Sequence, residues 1–248
     1  IAPVQVEPPV MALLKECKNA YTLTEGRVNV AMGSVLRLWH DAREAGLADP
    51  AHAALPAAEA LAEAARHTAI DTVLLDEAAG TVYLSDGQQR LDVGAVAKGW
   101  AAQQVIRQLP EGYMLNVGGN VCTRGSKPDG GSWNIAVQSP ETAGENLCVV
   151  RLMGQSLVTS GDYQRCYTVA GKRYHHIIDP DTCMPGTRWR SVSVLAQDSC
   201  LADCLSTALF LMPLEQGMAL ADRLGVEVMW VDAAMHITQT EGFRQAVQ

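Results

Sequence analysis

Residues 91–121 read LDVGAVAKGWAAQQVIRQLPEGYMLNVGGNV, and the order of elements in this stretch decides the fold class. Leu91 to Gly94 has the look of a short strand carrying an acid, Asp92, at its end. Gly94-Ala95 reads as a turn, and Val96 to Leu109 has the length and apolar spacing of a helix, closed by Pro110-Glu111-Gly112. Met114 to Val117 then reads as a strand that stops at Gly118-Gly119. The next segments are again strand-like: Asn134 to Val137, Val149 to Leu152, Leu157 to Ser160, Tyr174 to Ile178 and Val192 to Leu195. A doubly wound chain would alternate strand and helix, and this one does not. The expected class is therefore α+β, with mixed or antiparallel sheets and flanking helices.

The flanks agree with that class. Val10 to Tyr21 has helical apolar spacing, Leu55 to Arg66 is Ala-rich and regular, and Thr72–Leu75 and Thr81–Leu84 form a hairpin pattern around Asp76 to Gly80. Ala202 to Leu211 and Glu215 to Leu224 read as helices, followed by a strand pair near Val226–Val231 and His236–Thr238. A domain boundary near residue 110 is weakly signalled by the Pro-Glu-Gly turn.

The 248 residues are 48% hydrophobic and 19% charged, which places the chain among ordered globular proteins rather than disordered ones. The formal charge of -8 gives no electrostatic basis for binding nucleic acid or an anionic membrane. An anionic ligand would need backbone amides, single lysines or a metal ion. Seven cysteines, at 17, 122, 148, 166, 183, 200 and 204, include no C-x-x-C pair and are expected to be structural thiols. No run approaches the roughly 20 apolar residues that span a bilayer. Ile1 is not an initiator methionine, so the chain is expected to be a processed or truncated product.

Four segments carry candidate chemistry. In Leu91 to Trp100, an acid (Asp92), a flexible turn and a helix whose first turn bears Lys98 would set a cation beside free backbone N–H groups, which suits a phosphate or a pyrophosphate. A tight turn with Asp92 as cap and Lys98 in solvent explains the same residues about as well. Gly118-Gly119 permits close approach to a flat or charged ligand, or serves a sheet corner. Thr159-Ser160-Gly161-Asp162-Tyr163 and Tyr174-His175-His176-Ile177-Ile178-Asp179-Pro180 form a dense polar cluster; on a strand, only one of the adjacent histidines would face a given site. In Ser199 to Ala208, Asp203 and Thr207 are four apart on a helix, so their oxygens share a face and can hold a hard cation, though on the spacing alone a dipole-favoured acid with a back-bonded threonine is the better reading.

Taken in order, these segments closely resemble the ApbE family of FAD:protein FMN transferases, formerly described as thiamine biosynthesis lipoproteins, over about Thr24 to Leu211. The resemblance implies a single domain over 1–248, built as two intimate lobes around an FAD cleft, with the family's N-terminal strand and helix lying outside this chain. It implies that Asp92 and Lys98 serve the FAD site and that the Ala95 carbonyl, Asp203 and Thr207 are ligands of Mg2+, with Ser206 beside Thr207. Ala31-Met32-Gly33 corresponds to a stretch of the flavin or adenine pocket, Ile177 is expected against the cofactor, and His176 is a candidate catalytic or orienting group. Gly118, Gly119 and Ser160 complete the expected cofactor-binding set, and Asp203 is counted with His176 as catalytic. Cys204, Ala31 and Asn120 depart from the residues common in the family, Ala, Thr and Asp respectively.

The implied reaction is Mg2+-dependent transfer of FMN from FAD to a Thr or Ser of a target flavoprotein, with AMP leaving. FAD hydrolysis to FMN and AMP, or flavin binding without catalysis, are the competing readings. The family habit implies an extracytoplasmic, membrane-associated protein, anchored through a segment outside this chain. No nucleic-acid partner is expected.

Overall fold

The computed structural model describes residues 2–248 and divides them into two compact units, residues 2–95 with Gln164–Pro185, and Val96–Tyr163 with Gly186–Gln248. The divisions fall at 95/96, 163/164 and 185/186, so the Pro110-Glu111-Gly112 turn is a loop inside the second unit and not a boundary. Helices and strands are mixed as expected, and every pairing between named strands is antiparallel.

The first unit contains β1 (Val4–Gln5), α1 (Pro8–Leu23), α2 (Gly33–Ala48), α3 (Ala58–Ala65), β2 (Val73–Asp76) and β3 (Thr81–Leu84), and later β9 (Tyr167–Val169) and β10 (Lys172–Tyr174). Helix α1 begins earlier than the apolar spacing suggests because Pro8 and Pro9 occupy its first turn, where a missing N–H costs nothing. Its buried Met11 and Leu14 cover Val82 of the β1-β3-β2 sheet. Helix α3 starts at Ala58 rather than near Leu55, just beyond Pro56. A second core joins Val35 and Trp39 of α2 to Leu61, Tyr167, Ile178 and Cys183.

The second unit is built on a six-stranded antiparallel sheet ordered β13-β12-β11-β8-β5-β4. Its strands are β4 (Tyr113–Val117), β5 (Asn120–Arg124), β8 (Ser156–Gly161), β11 (Trp189–Ala196), β12 (Glu227–Asp232) and β13 (Ile237–Gln239). The odd-numbered Val121, Leu157, Leu195, Met229 and Val231 face one side and pack with the β6 (Trp133–Gln138)–β7 (Asn146–Leu152) hairpin and Phe243 of α7 (Glu241–Ala246). The opposite side carries α4 (Ala97–Gln108) and α5 (Ser199–Leu211), while α6 (Leu214–Leu224) lies against β12. The period-2 alternation of strands thus separates an apolar face from one that meets the polar start of α5.

Two strand expectations are corrected. Leu91 to Gly94 is a loop: the preceding Arg90 makes an isolated parallel bridge to Met32, and the Asp92 N–H donates to the Val30 carbonyl at 2.8 Å. Tyr174 to Ile178 is strand only up to Tyr174, because the Ile177 N–H turns back to His175 Nδ1 at 3.2 Å instead of joining a ladder. Alternation therefore does not decide which way His175 and His176 face. No helix among the described residues is long and apolar enough to cross a membrane.

Candidate functional site

In the first unit, the close approach of two loops brings Ala31-Met32-Gly33 beside the residues that lead to Asp92. The Gly33 N–H donates to the Arg90 carbonyl at 3.0 Å, and a Cβ at Gly33 would lie 2.6 Å from that oxygen, so only glycine fits. Ala31 and Met32 are fully buried, with the Ala31 N–H held by Asn29 Oδ1 at 2.9 Å. Asp92 is exposed and caps no helix; its Oδ1 accepts the Gly94 N–H at 2.8 Å in a local turn. Ala95 is half-buried in that turn, directly before Val96, the residue that precedes α4.

The segment after β10 closes through the isolated Ile178–Pro185 bridge and the Asp179 N–H to the Met184 carbonyl at 2.8 Å, and side chains tie it to the rest of the first unit. Arg27 Nη1 lies 2.6 Å from Asp181 Oδ2 and 3.5 Å from Asp179 Oδ1, Asp179 Oδ1 accepts the Asp181 N–H, and Trp39 Nε1 donates to the Cys183 carbonyl at 2.9 Å. Ile177 is buried. His176 Nδ1 is buried with no hydrogen-bond partner among the described residues. Burial first, then the positive charge of Arg165, pushes the imidazole down to about 4, so it is neutral at pH 7. Sequence spacing gave no signal for Arg27 or Trp39, whose partners lie well over 100 residues away.

In the second unit, the start of α5 is where the sequence expectations converge. Asp198 caps the helix, its Oδ1 accepting the N–H groups of Cys200 and Leu201, so α5 begins three residues before the expected Ala202. Asp203 follows one turn into the helix and is 4% exposed. Lys98 Nζ, in the first turn of α4, lies 2.7 Å from Asp203 Oδ1, and the Gly99 N–H donates to Oδ2, also at 2.7 Å. Lys98 is therefore paired with a buried acid rather than lying free in solvent. Burial raises the Asp203 carboxyl, while Lys98, the Gly99 N–H and the Asn120 amide pull it back.

Gly99 is what permits this contact. A Cβ there would collide with the Ser199 carbonyl oxygen and the Asp203 Cβ, so α4 and α5 cross at a glycine. Thr207 is half-buried, four residues beyond Asp203 on the same helical face. Ser206 is fully buried and donates to the Asp203 carbonyl at 2.9 Å, and Ser160 of β8 is 2.8 Å from Ser206 Oγ. Cys204 is buried and its thiol is pushed up to about 12 by burial and then by the Asp203 charge, which fits a packing role. All seven cysteines are free thiols.

Gly118 and Gly119 have φ of 57° and 88° in the two-residue turn between β4 and β5, and no atom lies near where their Cβ atoms would be. The turn alone requires glycine there. Sequence reasoning missed Gly99, Gln103 and Ser199; the last two meet in a hydrogen bond from the Ser199 N–H to Gln103 Oε1 at 2.6 Å.

The donors fit a magnesium ion of the kind that keeps waters and takes few protein ligands. Asp203 offers one buried carboxylate and Thr207 a hydroxyl on the same face, and no group of three or more His, Cys, Asp or Glu occurs among the described residues that would suggest a zinc-like site.

Comparison with known proteins places this architecture. The ApbE family model matches residues 1–230. A Klebsiella pneumoniae protein named FAD:protein FMN transferase is 34% identical over 236 residues, which cover 92% of this chain and 71% of that protein. A Treponema pallidum protein of the same name is 31% identical over 267 residues, covering all of this chain and 72% of its own length. The ApbE protein of Thermotoga maritima superposes with a TM-score of 0.87 at 29% identity, over 100% of this chain and 80% of that one. The flavin transferase ApbE of Vibrio cholerae gives 0.82 at 28%, over 99% and 79%. With the family model covering more than nine-tenths of its residues, this chain belongs to the ApbE family.

Proposed function

We propose that this chain is a flavinylation transferase that moves the FMN half of FAD onto a Thr or Ser hydroxyl of a target flavoprotein, in a reaction dependent on Mg2+. The names of its relatives support the transfer. The observation that carries the reading to this chain is the buried Asp203 carboxylate, held by Lys98 and the Gly99 N–H at the crossing of α4 and α5.

In the reaction, the acceptor oxygen forms a bond to the FMN phosphorus, and the bond from that phosphorus to the bridging oxygen breaks with its electron pair passing to the departing AMP. Asp203 and Thr207 would hold the ion, which supplies charge neutralisation at the pyrophosphate. Lys98 is only partly buried, so its flexible stem can turn from Asp203 to a phosphate oxygen and add a fixed positive charge there. Gly99 keeps Asp203 aimed by its N–H throughout. His176, in the first unit, is a neutral imidazole able to accept a proton from a hydroxyl.

Incubation with FAD and Mg2+, with and without a flavoprotein subunit carrying an acceptor Thr or Ser, tests this by mass spectrometry. Transfer adds the mass of an FMN phosphoester to the acceptor with one AMP released per event. AMP and free FMN at the same rate without acceptor would make the chain an FAD hydrolase. Absence of AMP in both arms would leave flavin binding alone.

A further inference from the structure

Asn120 opens β5, fully buried, and its backbone is committed on both sides, to Val117 of β4 and Val158 of β8. Alternation along β5 turns its side chain to the helical face of the sheet, the side on which Cys122 meets α4. There, the Ser199 Oγ donates to Asn120 Oδ1 at 2.7 Å. Ser199 is free to do so because the helix start is otherwise satisfied: its own N–H goes to Gln103, and those of Cys200 and Leu201 go to Asp198.

Fixing Oδ1 fixes the other end of the amide. Asn120 Nδ2 is buried with no hydrogen-bond partner among the described residues, and the acid within α5 nearest to its Ser199 anchor is Asp203. Ser199 and Asp203 are four residues apart on α5, so an amide anchored on the first reaches toward the second, about one turn or ~5.4 Å along the axis. The opposite flip would turn Oδ1 toward a carboxylate and leave Nδ2 on a hydroxyl, which is why the network selects this orientation.

We propose that Asn120 is a positioning residue for Asp203, a neutral donor, locked by Ser199, that keeps the carboxylate aimed when a cation takes the place of Lys98. It follows that the site carries one negative charge and not two, so Mg2+ binds weakly until the pyrophosphate of FAD supplies the rest. The inference rests on the reading of Asp203 as a cation ligand.

The test is calorimetric titration of the whole chain with Mg2+ alone, and again with FAD present, for the parent, Asn120→Asp and Asn120→Leu, with thermal melts in EDTA. Asn120→Asp sets a second carboxylate beside Asp203. It is expected to tighten Mg2+ binding without FAD at least about tenfold, to lower the metal-free melting temperature, and to regain that loss on adding Mg2+. Asn120→Leu is expected to weaken Mg2+ binding about threefold or more.

If both variants melt lower but bind Mg2+ like the parent, Asn120 is only a strut for Ser199 and the proposal falls. If the parent takes up no Mg2+ even with FAD, the cation reading of Asp203 falls and the proposed role falls with it. The EDTA melts then report separately on the contact: an Asn120→Asp protein as stable as the parent would show that the amide does not face Asp203.

Discussion

Asp203 and Asp179 each face a basic side chain, and their settings differ. Asp203 sits on a regular helix, 6% exposed at its side chain, with Lys98 on a second helix and a main-chain N–H as its other donor. Asp179 sits in a turn, 3.5 Å from an Arg27 that is closer to the largely exposed Asp181. In the first, the Gly99 N–H is held on Asp203 by the crossing of two helices and cannot leave without moving them, while the partly exposed Lys98 side chain can turn away. The second joins partly exposed side chains, Arg27 to Asp179 and Asp181, and is screened by water. Rigid support and low exposure set the first apart, and the second is a clasp on the segment that carries His176 and Ile177.

The helix crossing is the sharpest point of that contrast. Gly99→Ala would drive a methyl group into the Ser199 carbonyl and the Asp203 Cβ, where backbone cannot yield as a side-chain end can. Overpacking of this kind costs about 3 kcal/mol, the upper part of the usual range, read as a loss in chemical denaturation. A parental denaturation midpoint would show that α4 and α5 have room to separate.

Lys98→Met comes next. Loss of a charge-assisted contact is expected to weaken FAD binding by about 2 kcal/mol, roughly thirtyfold, in calorimetry. Because Lys98 also neutralises a buried acid, the variant should melt lower without metal and recover with Mg2+. Unchanged FAD affinity would confine Lys98 to the Asp203 pair.

Arg27→Gln tests the other side of the comparison. Partly exposed pairs contribute about 1 kcal/mol or less, so stability should barely change, and any effect should appear in FAD affinity through the His176 segment. A stability loss as large as that of Gly99→Ala would contradict the contrast between clasp and crossing.

The effect that vanishes at neutral pH and appears only in acid is a pH dependence. His176 titrates near 4 in the folded chain and near 6.5 when unfolded, so between these values the unfolded state binds the extra proton. Stability from this group is present above about 6.5 and is lost as pH falls toward 4. His176→Phe should flatten the fall of melting temperature across that window. An identical profile in the variant would mean the imidazole is not kept neutral by burial.

How much of this was legible in sequence follows from where each contact is made. Asp203 and Thr207 could be read because four-residue spacing on a helix is a local property, and α4 could be read from its apolar period and closing Pro-Glu-Gly. The Lys98–Asp203 pair spans 105 residues and the Ser199–Asn120 pair 79, and neither has a local signature. Leu91 to Gly94 misled because a short apolar alternation fits a strand, yet the Asp92 N–H goes to the Val30 carbonyl and the Gly94 N–H to the Asp92 side chain. Asp198 was the readable signal that went unused: an acid directly before Ser199-Cys200-Leu201 marks a helix start. Only the fold could show that Gly99 is needed for contact rather than for a turn.

The measurement that bears most directly on the account is AMP release from FAD, with acceptor and Mg2+, by Asp203→Ala and Cys204→Ala proteins shown by circular dichroism and melting to be folded. Cys204 is one residue away and rotated about 100° around the helix, into the packed side. The account predicts that Asp203→Ala loses turnover by several orders of magnitude, since a metal supplies several kcal/mol at a charged transition state, while Cys204→Ala keeps most of it. A folded Asp203→Ala protein that releases AMP at the parental, Mg2+-dependent rate would contradict it.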